Sequence, residues 1–567
     1  MKKILEIVKE KQFKYIYFFC FILSIQSVLG YKLQKFEHTA EKFSDVIINI
    51  LEIICLSIVL TTIFYFGKYI IEKIKEKIKE KKEIKNKQKD NTETSKTNKK
   101  REEFDCIVFF LIMFLCWMPA FLSFCPGLLN YDGPSQIISY SLVQKTMSTQ
   151  QPIISTVLMS FFYLIGTYVI GSATFGMTLF TLFQMIFMAS AFTYALNFIW
   201  KETKNKWITI MTLIFYAIFP FNQLFPLMTT KDTMFAGFTL IFVVQLYKSS
   251  RENFKIKEYI LMSIFAVFML LFRNNAVYAL VVAIPFSMLC LRKNKKKMLN
   301  IGITFVIIVI IYQACFEGLI IATKSMKQSD KEKLSVLSQA MARVAKEKKE
   351  ELTEEEIEKL NYYFNDVDEL INIYETNISD NTKGKINIPN YNKKPKEFYQ
   401  LFLTFVKKYP YICIDSFLDT IRGYWYIFDN SFNQIFHKES PYTKGCLELE
   451  FYIISNGTVE GTVRNIGKLP KVSQFYKKLL CENNYTKIPI LYIIFQPAIY
   501  FYIVLACLLY AIYKKDKNLE LPTIYLVLYF LTCFLGPGAI VRYIYANIVT
   551  TPVILAMAKK REEKREE

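Results

Sequence analysis

The chain has 567 residues, of which 53% are hydrophobic and 16% aromatic, and its formal net charge at pH 7 is +21. Apolar runs long enough to cross a bilayer recur along it, which indicates a polytopic α-helical membrane protein. The positive charge argues against a nucleic-acid-binding protein, because Lys and Arg collect in short loops between the apolar runs, as they do in cytoplasmic loops.

Cysteine and histidine offer little for chemistry. Most of the 12 cysteines lie inside apolar runs, where they act as small hydrophobic residues, and the sequence has no CxxC pair. His38 and His437 are its two histidines, so a histidine metal site and a Ser-His-Asp triad are poor predictions. The cofactor is left open, with a divalent cation as one option and no strong metal motif.

The apolar pattern predicts about 11 spans, arranged in five segments. These are two N-terminal spans (1–66), a basic cytoplasmic linker (67–103), a membrane module (104–316), a mostly helical external domain (317–487), and C-terminal spans with a cytoplasmic tail (488–567). A regulatory or partner-binding arm is the alternative for the linker. The apolar runs from which these spans are drawn number twelve and are residues 15–30, 46–66, 104–124, 174–200, 207–219, 234–247, 259–272, 276–291, 299–316, 488–513, 521–535 and 540–557.

Residues 153–170 are apolar, yet we predict a juxtamembrane or re-entrant helix there. If this segment does not cross, the Lys-rich loop 201–206 and the other short Lys-rich loops all face the cytoplasm. If it crosses, loop 201–206 moves outside. The first choice predicts a multi-pass protein of the cell membrane with both termini in the cytoplasm. In the external domain, Thr353 and Glu356 resemble a capping box at a helix start.

A few isolated charges fall at the predicted outer ends of spans. Asp132 lies in the Pro/Gly-rich stretch 125–136, Lys231 and Asp232 precede a span, and Arg273 and Arg542 each follow one. A charge at mid-bilayer costs roughly 2.5–3.5 kcal/mol on insertion scales, and less toward the interface. Charged residues at these positions therefore need a structural or functional explanation.

These charges suit glycosyl transfer from a polyprenyl-phosphate sugar. A carboxylate can act as general base on an acceptor hydroxyl, and cations can stabilise the phosphate that leaves. Simpler explanations stay open at each position: Asp132 as a turn former, Asp232 as a helix cap beside a snorkelling Lys231, and Arg273 and Arg542 as interfacial anchors. The functional hypothesis rests on the prediction that all of these charges lie at the same, outer face of the membrane. The further candidate substrate-binding residues are Tyr131, Gln136, Gln151, Asn274 and Tyr543.

Three phrases resemble the type C glycosyltransferase (GT-C) superfamily, in particular its protein O-mannosyltransferase and aminoarabinose transferase branch. They are the outer-loop Asp132 before the Pro-led helix at Gln151-Pro152, the acid of Lys231-Asp232 that opens a span, and the pair Arg542-Tyr543. The resemblance implies a GT-C-like helical bundle with juxtamembrane helices. It implies that Asp132 is the first-loop catalytic acid and Asp232 the second-loop acid.

The chain departs from that pattern in three ways. Gly133 replaces the second acid of an Asp-Glu pair, Gln151 stands where a His commonly precedes the Pro, and two spans are added at the N-terminus. The whole chain also resembles a family of multispanning proteins from Gram-positive bacteria whose function is not known. That likeness rests on residues 126–132, 230–237, 272–275 and 374–380.

The sequence therefore predicts a lipid-linked-sugar-dependent membrane glycosyltransferase. Its partners would be a polyprenyl-phosphate sugar donor, a glycan, lipid or protein acceptor of the cell envelope, and membrane lipids, with no nucleic acid. Asp132 and Asp232 are the candidate catalytic residues. Two other classes stay open: a transporter or flippase of lipid-linked envelope precursors, and a non-enzymatic envelope scaffold. The transporter would be favoured by an internal repeat or by acids inside the spans, and the sequence shows neither clearly.

Overall fold

The computed structural model describes residues 11–87, 104–129, 132–133, 136–137, 147–251, 255–430, 463–464 and 466–566. By internal contacts the chain divides into two compact units, residues 1–107 and 108–567. These described residues are almost entirely helical and form no strand, and four isolated backbone bridges are the extended pairings among them. The predicted all-α polytopic class is confirmed, while the span count and the bundle type stay predictions.

The first unit is a helical hairpin of α1 (Lys11–Phe36) and α2 (Phe43–Lys87). The short connection makes the two helices antiparallel neighbours, and they are tied by Lys32, whose Nζ lies 2.7 Å from the Glu52 carboxylate. Helix α2 continues well past the predicted span of residues 46–66. The first part of the predicted linker is therefore helical.

From residue 104 onward the α-helices are, in chain order, α3 (Phe104–Phe124), α4 (Ile153–Leu164), α5 (Ala173–Thr203), α6 (Lys206–Ile218), α7 (Pro220–Leu224), α8 (Lys231–Ser249), α9 (Ile256–Phe272), α10 (Ala276–Leu291), α11 (Lys295–Thr323), α12 (Ser335–Lys348), α13 (Glu354–Phe364), α14 (Val367–Ile373), α15 (Asp380–Gly384), α16 (Ile388–Lys393), α17 (Pro395–Lys408), α18 (Pro410–Thr420), α19 (Arg422–Trp425), α20 (Pro470–Tyr476), α21 (Pro489–Phe495), α22 (Pro497–Lys514), α23 (Lys517–Cys533) and α24 (Val541–Glu566). Short 3₁₀ or π turns extend several of them.

Eight of the described helices are long and apolar enough to cross a membrane, or up to nine if the bent pair α6 and α7 forms one span. One predicted span was wrong as a continuous helix: residues 488–513 are divided into α21 and α22, because the helix stops before Pro497. Residues Ile153–Ile170 form a continuous helical segment and belong to the eight. Their predicted non-crossing placement therefore stays a prediction.

Helix α8 lies at the centre of the second unit. Every residue from Asp232 to Tyr247 is buried, and the helix packs against α5, α9, α23 and α24. Because protein rather than lipid surrounds it, α8 can carry polar residues such as Thr239 and Gln245 that a lipid-facing helix would avoid. Its N-terminal end holds the charges singled out in the sequence.

The predicted external domain contains a compact helical part with its own hydrophobic core, which spans residues 334 to 413. The capping box is confirmed: Glu356 N–H donates to Thr353 Oγ1 at 3.2 Å, and Thr353 N–H donates to the Glu356 carboxylate at 2.8 Å. Residues 466–469 do not belong to this hydrophobic core. Lys468 N–H donates to the Leu122 carbonyl at 2.8 Å, which ties this segment to the end of α3.

Candidate functional site

The loop that follows α3 is fixed by helix α5. Thr181 Oγ1 donates a hydrogen bond of 2.6 Å to the Pro126 carbonyl. Gly127 follows with φ +144°, and a Cβ there would meet the Leu227 carbonyl oxygen at 2.9 Å. Glycine is therefore required at this position, because the conformation is one that L-residues avoid and the neighbouring backbone leaves no space.

The same helix fixes the loop before α8. The Gln184 side chain, fully buried, donates to the carbonyls of Phe225 (3.3 Å), Pro226 (3.0 Å) and Met228 (2.8 Å). Thr181 and Gln184 are three residues apart and share one face of α5. One helix face therefore holds both loops, although the loops are about a hundred residues apart in the chain.

The two loops also bond to each other. Leu128 N–H donates to the Leu227 carbonyl at 2.7 Å, and Thr229 N–H donates to the Leu128 carbonyl at 2.9 Å. A Cβ at Gly133 would meet the Thr229 carbonyl oxygen at 2.5 Å. This close approach brings the residue before Gly133, which is Asp132, to the N-terminal end of α8.

Asp132 lies between two cations. Its Oδ2 is 3.1 Å from Arg542 Nη1 and 3.6 Å from Lys231 Nζ, and its side chain is one-third exposed. Burial raises the pKa of this carboxyl, but the positive charges of Arg542 and Lys231 outweigh that effect, so its pKa falls from 3.8 to about 2. Asp132 is therefore ionised at neutral pH and reachable from outside the protein.

Asp232 has a different environment. Its side chain has no exposed surface and forms an ion pair with Arg273. Its Oδ2 also accepts from Thr230 Oγ1 at 3.1 Å and lies 3.8 Å from Arg542 Nε. Thr230 caps α8, since its Oγ1 accepts from the Asp232 N–H at 3.3 Å. In this conformation Asp232 meets protein groups rather than solvent, and its catalytic role stays a prediction.

Arg273 is similarly enclosed. Its side chain is 6% exposed and its Nε donates to Asn275 Oδ1 at 3.1 Å. The guanidinium lies 4.3 Å from the ring centre of Tyr543, and the Arg542 guanidinium lies 5.2 Å from the same ring. Both guanidiniums therefore lie close to the Tyr543 ring, and each gains a favourable contact with it.

An amide pair lies beside Lys231. Gln136 Nε2 donates to Gln151 Oε1 at 3.2 Å, and Lys231 Nζ donates to the same oxygen. Asn274 Oδ1 is buried and has no hydrogen-bond partner among the described residues. Tyr131 lies outside the described residues. The structure therefore brings together eight of the ten candidates named from the sequence: Asp132, Gln136, Gln151, Lys231, Asp232, Arg273, Arg542 and Tyr543.

Sequence reasoning did not single out the residues that hold the loop before Arg542. Tyr424 Oη accepts from the Ile540 N–H at 2.9 Å and lies 3.0 Å from the Ile540 carbonyl, to which it donates. Ser379 N–H donates to the Pro537 carbonyl at 2.8 Å. The available signals were indirect. Ser379 lies in the stretch 374–380 that resembles other proteins, and Tyr424 lies in an aromatic-rich stretch, residues 423–428.

A buried ion-pair network supports Tyr424. Arg422, two residues earlier, donates to Asp419 Oδ1 at 2.6 Å and to Asp429 Oδ1 at 2.7 Å. Asp419 Oδ2 in turn accepts from Arg343 Nη1 of α12 at 3.1 Å. The predicted external domain therefore holds the loop of Arg542 through a buried, paired set of charges.

The cluster carries two acids and three cations, so its formal net charge is positive. This balance favours an anionic ligand near Lys231 and Arg542, whose side chains are 14% and 10% exposed. No group of three or more His, Cys, Asp or Glu side chains converges as a metal site within the described parts of the chain.

The fold and these contacts define a multi-pass helical membrane protein with a charged cluster at the N-terminal end of its central helix. The chain belongs to a family of unknown function, DUF6020, whose family model matches residues 142–567. No curated protein and no solved structure matches the chain. Lys231, Asp232, Arg273 and Arg542 lie within the matched range, whereas Asp132 precedes it.

Proposed function

We propose that this protein is a membrane glycosyltransferase that moves a sugar from a polyprenyl-phosphate donor to an acceptor of the cell envelope, on the outer face of the membrane. The observation that carries the proposal is the position of Asp132. It is an accessible carboxylate held 3.1 Å from Arg542 and 3.6 Å from Lys231, so a base and two phosphate-binding cations lie within one sugar's reach.

In this mechanism Lys231 and Arg542 bind the phosphate of the donor. The acceptor hydroxyl oxygen forms a bond to the anomeric carbon, and the bond from that carbon to the phosphate oxygen breaks. The polyprenyl phosphate leaves with the electron pair, and the two cations stabilise its new charge. The acceptor proton passes to Asp132. Nearby carboxylates also favour the positive charge that develops on the sugar ring.

A carboxyl with a pKa of about 2 is a weak base at neutral pH, so the donor has a second role. When its phosphate takes up Lys231 and Arg542, those cations no longer act on Asp132 alone. The effect of burial, which raises the pKa of the carboxyl, is then less strongly opposed, so the pKa rises and the carboxylate becomes a better proton acceptor. The base is thus activated only when the donor is bound.

Asp232 and Arg273 are positioning residues in this proposal. Asp232 has no exposed surface and orients Arg542 through the guanidinium Nε, whereas Asp132 contacts its Nη1. Arg273 neutralises Asp232 and stacks on Tyr543. Gln151 accepts from Lys231 and directs its ammonium group toward the site. The proposal assigns no residue to a metal ion.

The test compares envelope glycans of a deletion strain complemented with wild-type or variant protein, followed by in vitro transfer from a labelled polyprenyl-phosphate sugar in proteoliposomes. Asp132→Asn should abolish transfer, and Lys231→Met should raise the KM for the donor. The control Asp330→Asn removes a half-exposed acid of the predicted external domain and should leave transfer unchanged. Undiminished transfer by purified, folded Asp132→Asn protein would overturn the assignment of the base.

A further inference from the structure

A second charged region lies beside the candidate site but does not belong to it. The segment of residues 464–490, here called the basic collar, contains one acid, Glu482. Its cations are Arg464, Lys468, Lys471, Lys477, Lys478 and Lys487. All of these cations are exposed. Short loops on the same side as Asp132 otherwise carry few cations, so this concentration needs a physical reason.

The collar is attached to the membrane end of a span. Ile466 N–H donates to the Cys125 carbonyl at 2.9 Å, and the Phe124 and Tyr476 rings have centres 5.9 Å apart. Tyr476 Oη also donates to Gln223 Oε1 at 2.6 Å. The collar therefore lies at the level where α3 ends, which is where lipid headgroups meet the protein.

Apolar side chains accompany the cations. Phe475 is 57% exposed, Leu469 37% and Ile490 69%. Ile490 belongs to α21, which leads directly into α22, a candidate span. Exposed apolar residues interspersed with Lys are the pattern of a segment lying in the headgroup region, with apolar side chains toward the acyl chains and cations toward phosphates.

We propose that the basic collar is a binding surface for the anionic phospholipid headgroups of the leaflet at which Asp132 lies. The excess of cations over acids provides charge complementarity, and continuity with α3 and α22 places the collar against that leaflet. Each Lys or Arg near an anionic surface adds to the attraction. The proposal does not depend on the reaction assigned to Asp132.

The test uses full-length protein in nanodiscs of phosphatidylcholine mixed with phosphatidylglycerol. Native mass spectrometry after mild detergent release measures how much of each lipid stays bound. The collar variant is Lys471→Gln/Lys477→Gln/Lys478→Gln. Its matched control, Lys393→Gln/Lys396→Gln/Lys407→Gln, removes three exposed cations from the external domain.

The collar variant should lose about threefold or more of the preference for phosphatidylglycerol, because three cations near the headgroups are removed. The control should keep the wild-type preference. An unchanged preference in the collar variant, or an equal loss in the control, overturns the proposal. If the triple variant does not fold, the double variant Lys477→Gln/Lys478→Gln tests the same proposal. Both lysines are on the surface, and the expected loss of preference for phosphatidylglycerol is smaller.

Discussion

The same substitution at the two acids of the cluster should affect the stability of the protein to very different extents. Asp132→Asn and Asp232→Asn each replace a carboxylate by a neutral amide of nearly the same shape. Both acids lie near Arg542. They differ in exposure, since the Asp132 side chain is 33% exposed and the Asp232 side chain 0%. The expected changes in stability follow from that difference.

At Asp232 the substitution leaves Arg273 buried without its counter-charge. Removing one partner of a buried ion pair costs about 3–5 kcal/mol, because the other charge stays desolvated and unpaired. Arg542 loses its 3.8 Å contact with Asp232 as well. We therefore expect a large fall in the free energy of unfolding for Asp232→Asn.

At Asp132 solvent screens the interaction and rehydrates the cations when the carboxylate is removed. Partly exposed ion pairs contribute about 1 kcal/mol or less. The amide oxygen introduced by the substitution would remain a hydrogen-bond acceptor for Arg542. We therefore expect Asp132→Asn to fold almost as stably as the wild type while losing sugar transfer, whereas Asp232→Asn should lose transfer through loss of folded protein.

The assay is thermal unfolding of purified protein in detergent, paired with transfer in proteoliposomes. Double substitution Asp232→Asn/Arg273→Met is an internal check, because removing both buried charges should recover part of the stability lost in the single variant. Equal destabilisation by Asp132→Asn and Asp232→Asn would refute the division of roles. So would full stability of Asp232→Asn.

Three further predictions follow from the same contacts. Folding lowers the pKa of Asp132 from 3.8 to about 2, so its carboxylate stabilises the folded state fully above pH 3.8 and loses this effect as the pH falls toward 2. The difference in unfolding temperature between wild type and Asp132→Asn should therefore stay constant down to about pH 4 and become smaller below it. Tyr424→Phe removes the hydrogen bond that the Ile540 N–H donates, whereas the Ile540 carbonyl still accepts from the Tyr543 N–H at 3.1 Å. The substitution should cost about 1–3 kcal/mol in thermal unfolding and lower kcat as well. Gly133→Ala should lower the free energy of unfolding by about 1–3 kcal/mol, because the added Cβ pushes the two loops apart. The control Gly318→Ala has open space around its Cβ and should not lower it. Equal stability of the two variants would contradict the loop contact.

Several features could be read from local sequence alone. Hydrophobic runs predicted the all-α class, since a helix is the way a single apolar segment satisfies its own backbone in lipid. The capping box at Thr353 and the Pro-led start of α4 at Ile153 were also predicted from neighbouring residues. The break before Pro497 was missed, because the hydrophobic pattern continues across it and outweighed the proline.

In the candidate site, too, some residues could be identified from the sequence and others could not. Asp132, Lys231 and Arg542 could be named because a lone charge near an apolar run is costly wherever the chain goes. That Asp232 would be buried against Arg273 could not be predicted, since both look like equally accessible outer-face charges in the sequence. Thr181 and Gln184 gave no signal at all, because a polar residue inside an apolar run does not reveal which backbone it faces.

Residues close together in the chain are enough to predict apolar helices and to show that a handful of charges break the apolar pattern, because both properties are local. Which of those charges meet depends on how distant parts of the chain pack. That outcome rests on one face of α5 holding two distant loops and on Tyr424 fixing Ile540. These are long-range hydrogen bonds between side chains and backbone groups, and every residue type possesses such backbone groups.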